Sequence, residues 1–198
     1  MHISEGILSG PVLVSGAFLA AGMTFIGLRR LDPERMVRVG LLASAFYVAS
    51  LVHVPIGPGN VHLVLNGLLG LLLGWAAVPA ILTALFLQAV IFQFGGLTVL
   101  GVNTVIMGLP AVTCHYAFGK MIKCPGRTAA LGAFAAGAMA VLLSGMLVAS
   151  FLVFSGEGFL QAAWVILAAH LPIMLIEGLV TMFLVAFLKR AKPELLAM

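Results

Sequence analysis

Charge is scarce in this sequence. Only 8% of its 198 residues are Asp, Glu, Lys or Arg, whereas 63% are hydrophobic, and the mean hydropathy is +1.22. A soluble core does not need that much apolar surface, which excludes a water-soluble enzyme. The few basic residues, 10 Lys and Arg against 6 Asp and Glu, fall in short clusters beside apolar runs. They form no patch, so a nucleic-acid partner is not expected. Cysteine is equally sparse: Cys114 and Cys124 stand too far apart for a C-x-x-C redox pair or a zinc spacing. No Lys or Arg precedes Arg29, so the basic start of a secretory signal is lacking and the first apolar run is expected to be retained. The P-loop pattern G-x-x-x-x-G-K-[ST] is missing too. Gly119-Lys120-Met121 is the nearest fragment and lacks the phosphate-cradling loop, so no ATP hydrolysis is expected of this chain.

What is present is a series of apolar runs. The length accommodates about seven transmembrane helices of ~20 residues with short connections, an all-α membrane fold in one domain over residues 1–198. The spans are expected near residues 7–28, 36–54, 62–74, 78–94, 102–118, 129–154 and 159–188. Asp32-Pro33 reads as the N-cap and first turn ahead of the second span. The stretch Pro55-Ile56-Gly57-Pro58-Gly59-Asn60 excludes a helix. The third run would reach only ~20 Å as a helix, short of the ~30 Å hydrocarbon core. The loop before it is therefore expected to dip into the membrane, where non-helical backbone survives only if protein or a wet cavity surrounds it. Pro172 is a possible kink in the last span.

Alternation of the spans puts residues 29–38, 75–77, 120–127 and 189–198 on one face, and every Lys and Arg lies there. The positive-inside rule makes that face cytoplasmic and the N-terminus extracytoplasmic, in the cell (inner) membrane. Small residues recur at four-residue spacing, as in Gly16/Ala20, Gly70/Gly74 and Gly132/Ala136/Ala140. Such spacing lets helices approach closely in lipid, either inside the bundle or, for the first span, against another membrane subunit.

The amino terminus carries the chemistry. The amine of Met1, the amide nitrogen of His2 and its Nδ1 can close two fused chelate rings and fill three corners of a square plane. That geometry suits Ni(II) and Cu(II), and Co(II) can be forced into it. His62, after the Gly/Pro loop on the same face, is the natural fourth ligand. Asn60, Asn66, Gln93 and Asn103 are expected near the same mouth and are candidates to orient the ligands or hold water. His170 and Glu177 share a helix face, and Glu177 falls near mid-membrane. A structural role, satisfying polar backbone near Pro172, and a role in gating or coupling both remain open for them. His53, Cys114 and His115 are expected to be packed side chains.

At this point the sequence resembles a family. Met1-His2-Ile3-x-Glu5-Gly6-x-Leu8-Ser9 resembles the opening signature of the CbiM/NikM proteins, metal-capturing subunits of energy-coupling-factor importers for cobalt and nickel. The likeness continues through Val54-Pro55-Ile56-Gly57-Pro58-Gly59-x-x-His62, Gln88, Phe94-Gly95-Gly96-x-x-x-Leu100-Gly101-x-Asn103, His170 and Glu177-Gly178-Leu179-x-Thr181. It implies a seven-helix fold with the N-terminus plugged into the bundle and Co2+ or Ni2+ held by Met1, His2 and His62. It also implies a CbiQ-like coupling subunit, CbiO-like ATPases and a small CbiN-like membrane protein. The ion is cargo, for cobalamin synthesis or nickel enzymes, and no resident cofactor is implied. Relatives often carry the accessory segment fused at the C-terminus; the chain stops soon after Lys192-Pro193, so a separate accessory chain is expected. Ser4 departs from the Pro or Met of many relatives and leaves cobalt against nickel open.

Two other functions compete. An intramembrane serine hydrolase would use Ser144 or Ser15 with His170 as base, although neither serine has a G-x-S-x-G context. A stand-alone small-solute transporter would need no ATPase partner, but no inverted repeat is visible.

Overall fold

A computed structural model describes residues 3–196 except 52, 57 and 58; for 53–56, 59–62, 157 and 163 it describes the main chain alone. The described residues form seven α-helices: α1 (Gly10–Arg29), α2 (Met36–Leu51), α3 (Asn66–Leu73), α4 (Ala77–Phe92), α5 (Leu100–Phe118), α6 (Arg127–Ser155) and α7 (Leu160–Ala191). A two-stranded antiparallel hairpin, β1 (His53–Ile56) and β2 (Gly59–His62), lies between α2 and α3, with His53 opposite His62 and Ile56 opposite Gly59.

Four helical stretches are long and apolar enough to cross a membrane: α1, the α3–α4 stretch Asn66–Phe92, α6 and α7. The outer surface is apolar as well. Phe18, Phe154, Trp164 and Phe187 are all more than 60% exposed, which water would not tolerate and lipid requires. The chain is a multi-pass membrane protein.

Helix boundaries follow local signals where such signals exist. Ser9 and Pro11 start α1. Asp32 accepts the Glu34 N–H at 3.1 Å and opens the short 3-10 turn Pro33–Arg35 that leads into α2. Pro110 and Pro172 are taken up inside α5 and α7, as packed membrane helices allow.

The third span departs from expectation. A helix from residue 62 was expected, in an all-α fold; instead residues 59–62 pair with 53–56, and helix begins only at Asn66. The physical reason is tertiary. Leu65 takes a left-handed backbone, φ 50°, and a helix cannot start through it. Gly74, φ 56° and ψ −126°, then ends α3, so α3 and α4 are separate helices within one apolar stretch.

Interior helices approach closely at small residues. A Cβ on Gly70 would strike the main chain of Ala111 in α5, and one on Gly137 would lie 2.5 Å from the Glu177 carbonyl oxygen in α7. Gly16 in α1 is buried against Val102 of α5, so this part of the small-residue stripe serves internal packing. One buried cluster joins Ile3, Leu8, Phe46, Val64, Ile106 and Met107. A second joins Leu68, Cys114, Ala133, Ala136 and Val185.

The ends of the bundle sort as the basic clusters predict. Arg30 and Trp75 both donate to the Tyr116 hydroxyl oxygen, at 3.0 and 2.9 Å, and Lys189 donates to the Cys124 carbonyl. The segments 29–38, 75–77, 120–127 and the end of α7 thus share one end. At the other, Ser9 donates its N–H to Ser155 Oγ at 3.3 Å and Glu5 bonds to the 95–98 turn.

Candidate metal-capture site

Two arms of chain enter the bundle, each just beyond a sequence-predicted ligand. The first is the N-terminal segment. Ile3 is 4% exposed. Its N–H donates to Asn103 Oδ1 at 3.0 Å and its carbonyl accepts from Asn103 Nδ2 at 3.1 Å. Asn103, in α5, is itself buried. A carboxamide is the side chain that can serve a donor and an acceptor at once, so it replaces a strand neighbour for one residue. Glu5 adds a second tie. Its N–H donates to Gly95 O at 3.1 Å, and its carboxylate accepts the Thr98 N–H and hydroxyl at 2.9 and 3.0 Å. The Thr98 N–H, then its hydroxyl, hold the Glu5 carboxyl below its ordinary pKa. Gly96, at φ 128°, is required here, because a Cβ would collide with the Glu5 side chain.

The second arm leaves the hairpin. Val64 is 1% exposed and Leu65 8%. The Glu177 carboxylate accepts the Val64 N–H, and both its oxygens accept the Leu65 N–H, at 3.3 and 3.1 Å. Glu177 is 1% exposed, and it occupies the N-terminus of α3, where the helix presents unpaired N–H groups. Asn66 extends the junction. Its Nδ2 donates to Met107 O at 3.2 Å and Ser144 Oγ at 3.0 Å, while its Oδ1 accepts the Gly67 N–H at 3.0 Å. Residues 64–66 therefore sit against the middles of α5, α6 and α7. Val64 and Leu65, which are not helical, are thus buried among the helices, and the polar groups named beside them have partners.

Of the sequence-predicted site residues, Met1 and His2 lie outside the described residues, as do the side chains of His62, Asn60 and His53. Asn103 stands beside the first arm and Glu177 beside the second. The satisfied backbone is that of Val64 and Leu65, not that near Pro172. Gln93 is exposed, with a left-handed backbone, φ 57°, as the C-cap of α4. His170 does not join Glu177: its Nδ1 lies 2.5 Å from the Ile166 carbonyl of the preceding turn, and its ring packs on Gly145. Among the described residues no three His, Cys, Asp or Glu side chains converge as a metal site. Cys114 is buried, as anticipated, with its Sγ 3.4 Å from the Ala136 carbonyl.

Sequence reasoning missed Thr98 and Ser50, and named Gln88 only within the family likeness. Gln88, 1% exposed, donates Nε2 to Ser50 Oγ, and its Oε1 is buried without a hydrogen-bond partner among the described residues. A lone Gln in an otherwise apolar run was the available signal.

The hydrolase reading gains nothing. Ser144 is fully buried and donates its hydroxyl to Ile106 O at 2.9 Å while accepting from Asn66. Ser15 donates to Val12 O at 2.9 Å. A nucleophile hands its proton to a base, and both of these hand it to main-chain carbonyls.

Comparison with known proteins agrees with this architecture. A family model described as "Cobalt uptake substrate-specific transmembrane region" matches residues 2–195. A putative metal transport protein of Haemophilus influenzae is 42% identical over 200 residues, covering 99% of this chain and 97% of that one. A fused nickel transport protein NikMN of Rhodobacter capsulatus is 34% identical over 229 residues, covering 100% of this chain and 64% of that one. A solved structure, described as a truncated transition metal transporter, superposes with a TM-score of 0.76 at 24% identity, covering 96% of this chain and 99% of that one. At that identity the likeness speaks for the fold.

Proposed function

We propose a capture function from one premise: this chain belongs to the CbiM family of metal-uptake membrane proteins. It is the substrate-specific subunit of an ATP-driven importer and takes Co2+ or Ni2+ from the extracytoplasmic side. The ion is held by the Met1 amine, the His2 amide and imidazole, and His62. Seven crossings with the N-terminus outside and the C-terminus inside are part of the same reading.

One observation supports it above the others. The residue after His2 and the residues just after His62 enter one buried cluster, Ile3 and Val64 both belonging to it. Each arm is fixed by a buried polar side chain, Asn103 for the first and Glu177 for the second. Chelation entropy is lost before the ion arrives when both arms are held in place. Nitrogen ligands on rigid supports then discriminate by geometry, which is how divalent transition metals are told apart.

Capture here involves proton release rather than bond cleavage. The amine, amide and imidazoles must be unprotonated to coordinate, so ion binding displaces protons and weakens with acid. His170 and Glu177 lie along α7, whose movement would act on the second arm through the Val64 and Leu65 N–H groups. That gives Glu177 a coupling role between the capture site and α7.

Energy comes from partners: a CbiQ-like membrane subunit and CbiO-like ATPases. The name NikMN describes a fusion, which supports a CbiN-like accessory partner. Radioactive metal uptake by vesicles separates this reading from a stand-alone transporter. Uptake is expected only with the ATPase and coupling chains present, and uptake by this chain alone would sink the importer reading.

A further inference from the structure

The basic end of the bundle contains a cavity that the capture function does not use. It has a volume of about 270 Å3 and lies between the end of α1, the start of α2, the α3–α4 junction and the last turn of α5. Its rim holds Arg30, Arg35, Arg38 and Asp32, and its floor is the apolar stretch 71–73. Three arginines and one aspartate thus line it.

The rim is organised around Tyr116. Arg30 Nη1 donates to the Tyr116 oxygen at 3.0 Å, and Trp75 Nε1 donates to the same atom at 2.9 Å. The Arg30 guanidinium also lies 5.3 Å from the Trp75 ring centroid. Both groups that hold Arg30 are neutral, so neither cancels its charge, and most of its N–H fork stays available. The Tyr116 oxygen, having accepted two N–H groups, keeps its own hydrogen as a donor for a third party. Asp32 lies 3.6 Å from Arg35 and orders the outer rim.

The geometry points to a binding site for the phosphate group of an anionic phospholipid. Guanidinium forks and a phenolic donor match phosphate oxygens, and Trp with Tyr is the pair enriched at the membrane–water boundary. Basic pockets between transmembrane helices at the cytoplasmic surface receive acidic headgroups. A free, fully hydrated phosphate ion has no use for the apolar floor formed by 71–73; the first methylenes of a lipid's acyl chains do. The site lies at the opposite end of the bundle from the N-terminal arm and uses none of the proposed metal ligands, while its cytoplasmic position rests on the orientation proposed above.

The sequence supplies its own reporter. Trp75 and Trp164 are its 2 tryptophans, so Trp164→Phe leaves Trp75 alone, in the cavity wall. Full-length W164F protein in neutral detergent is titrated with phosphatidylglycerol, with phosphatidylcholine and with inorganic phosphate, and Trp75 emission is followed. Saturable change is expected with phosphatidylglycerol and not with the other two. Arg38→Gln should weaken it about fivefold, as expected for one basic residue at an acidic surface. Arg30→Lys, which keeps the charge but loses the fork, should weaken it less. Arg127→Gln, a charge removed at the same end but outside the cavity, should change it less than twofold. Equal responses to phosphatidylcholine, or equal losses in R38Q and R127Q, would overturn the site. Saturation by millimolar inorganic phosphate would overturn the lipid as its source.

Discussion

Asn103 holds Ile3 by both of its main-chain groups, accepting the N–H at 3.0 Å and donating to the carbonyl at 3.1 Å. Replacing Asn103 by Leu keeps the volume and removes both bonds, leaving a buried donor and acceptor without partners. Each such group costs about 1–3 kcal/mol, so the first arm should detach rather than remain unsatisfied. Metal affinity by isothermal titration should fall at least tenfold while the helical content stays unchanged. Asn103→Asp, which accepts but cannot donate when ionised, should fall in between.

Glu177 makes the corresponding contact on the second arm. Glu177→Ala strips acceptors from two buried N–H groups and should destabilise by about 2–4 kcal/mol, read as a lower thermal midpoint in detergent. Glu177→Gln retains one acceptor oxygen and should preserve folding while weakening metal binding. Equal metal affinity in the Gln variant and the native protein would remove Glu177 from the capture machinery.

Glu5 gives the N-terminal arm a pH dependence. Its carboxyl titrates below the ordinary value because it accepts the Thr98 N–H and hydroxyl. A lowered pKa in the folded state contributes stability that is present above the unfolded pKa and lost as pH falls through the folded one. Protection of the arm from proteolysis should therefore decline only in strongly acidic solution. In Glu5→Gln protein that acid-dependent loss should vanish.

Close helix contacts make glycine substitutions uneven. Gly70→Ala places a methyl group against the Ala111 main chain, whereas Gly40→Ala meets nothing within 4 Å. Overpacking should cost Gly70→Ala about 1–3 kcal/mol or more. Gly40→Ala should be neutral or slightly stabilising. Thermal denaturation of the two variants in the same detergent checks the difference.

Much of the bundle was legible because the relevant signals are local. Asp32 and Pro33 announce the turn before α2, and α6, expected over 129–154, spans Arg127–Ser155. The Asn103 contact belongs to a motif visible in the sequence, although its partner Ile3 lies 100 residues away. The hairpin was not legible. Its strands are four residues each, too short for an alternating pattern, and they contain Pro55, a residue that argues against strand. The start of α3 was hidden for another reason. Its determinant is Glu177, 112 residues along the chain from Leu65, and no local pattern encodes that meeting. Thr98 was overlooked because a loop threonine beside glycines is ordinary until a carboxylate is found against it.

The central claim is that the chain's own first two residues and His62 hold one ion. Its most direct test is equilibrium binding of Co2+ and Ni2+ to two purified forms, one beginning with Met1 and one carrying a single extra residue ahead of it. The account predicts one tightly bound ion per chain for the first form and loss of at least a hundredfold in affinity for the second, with His62→Ala similarly impaired. Undiminished binding by the extended form would contradict it.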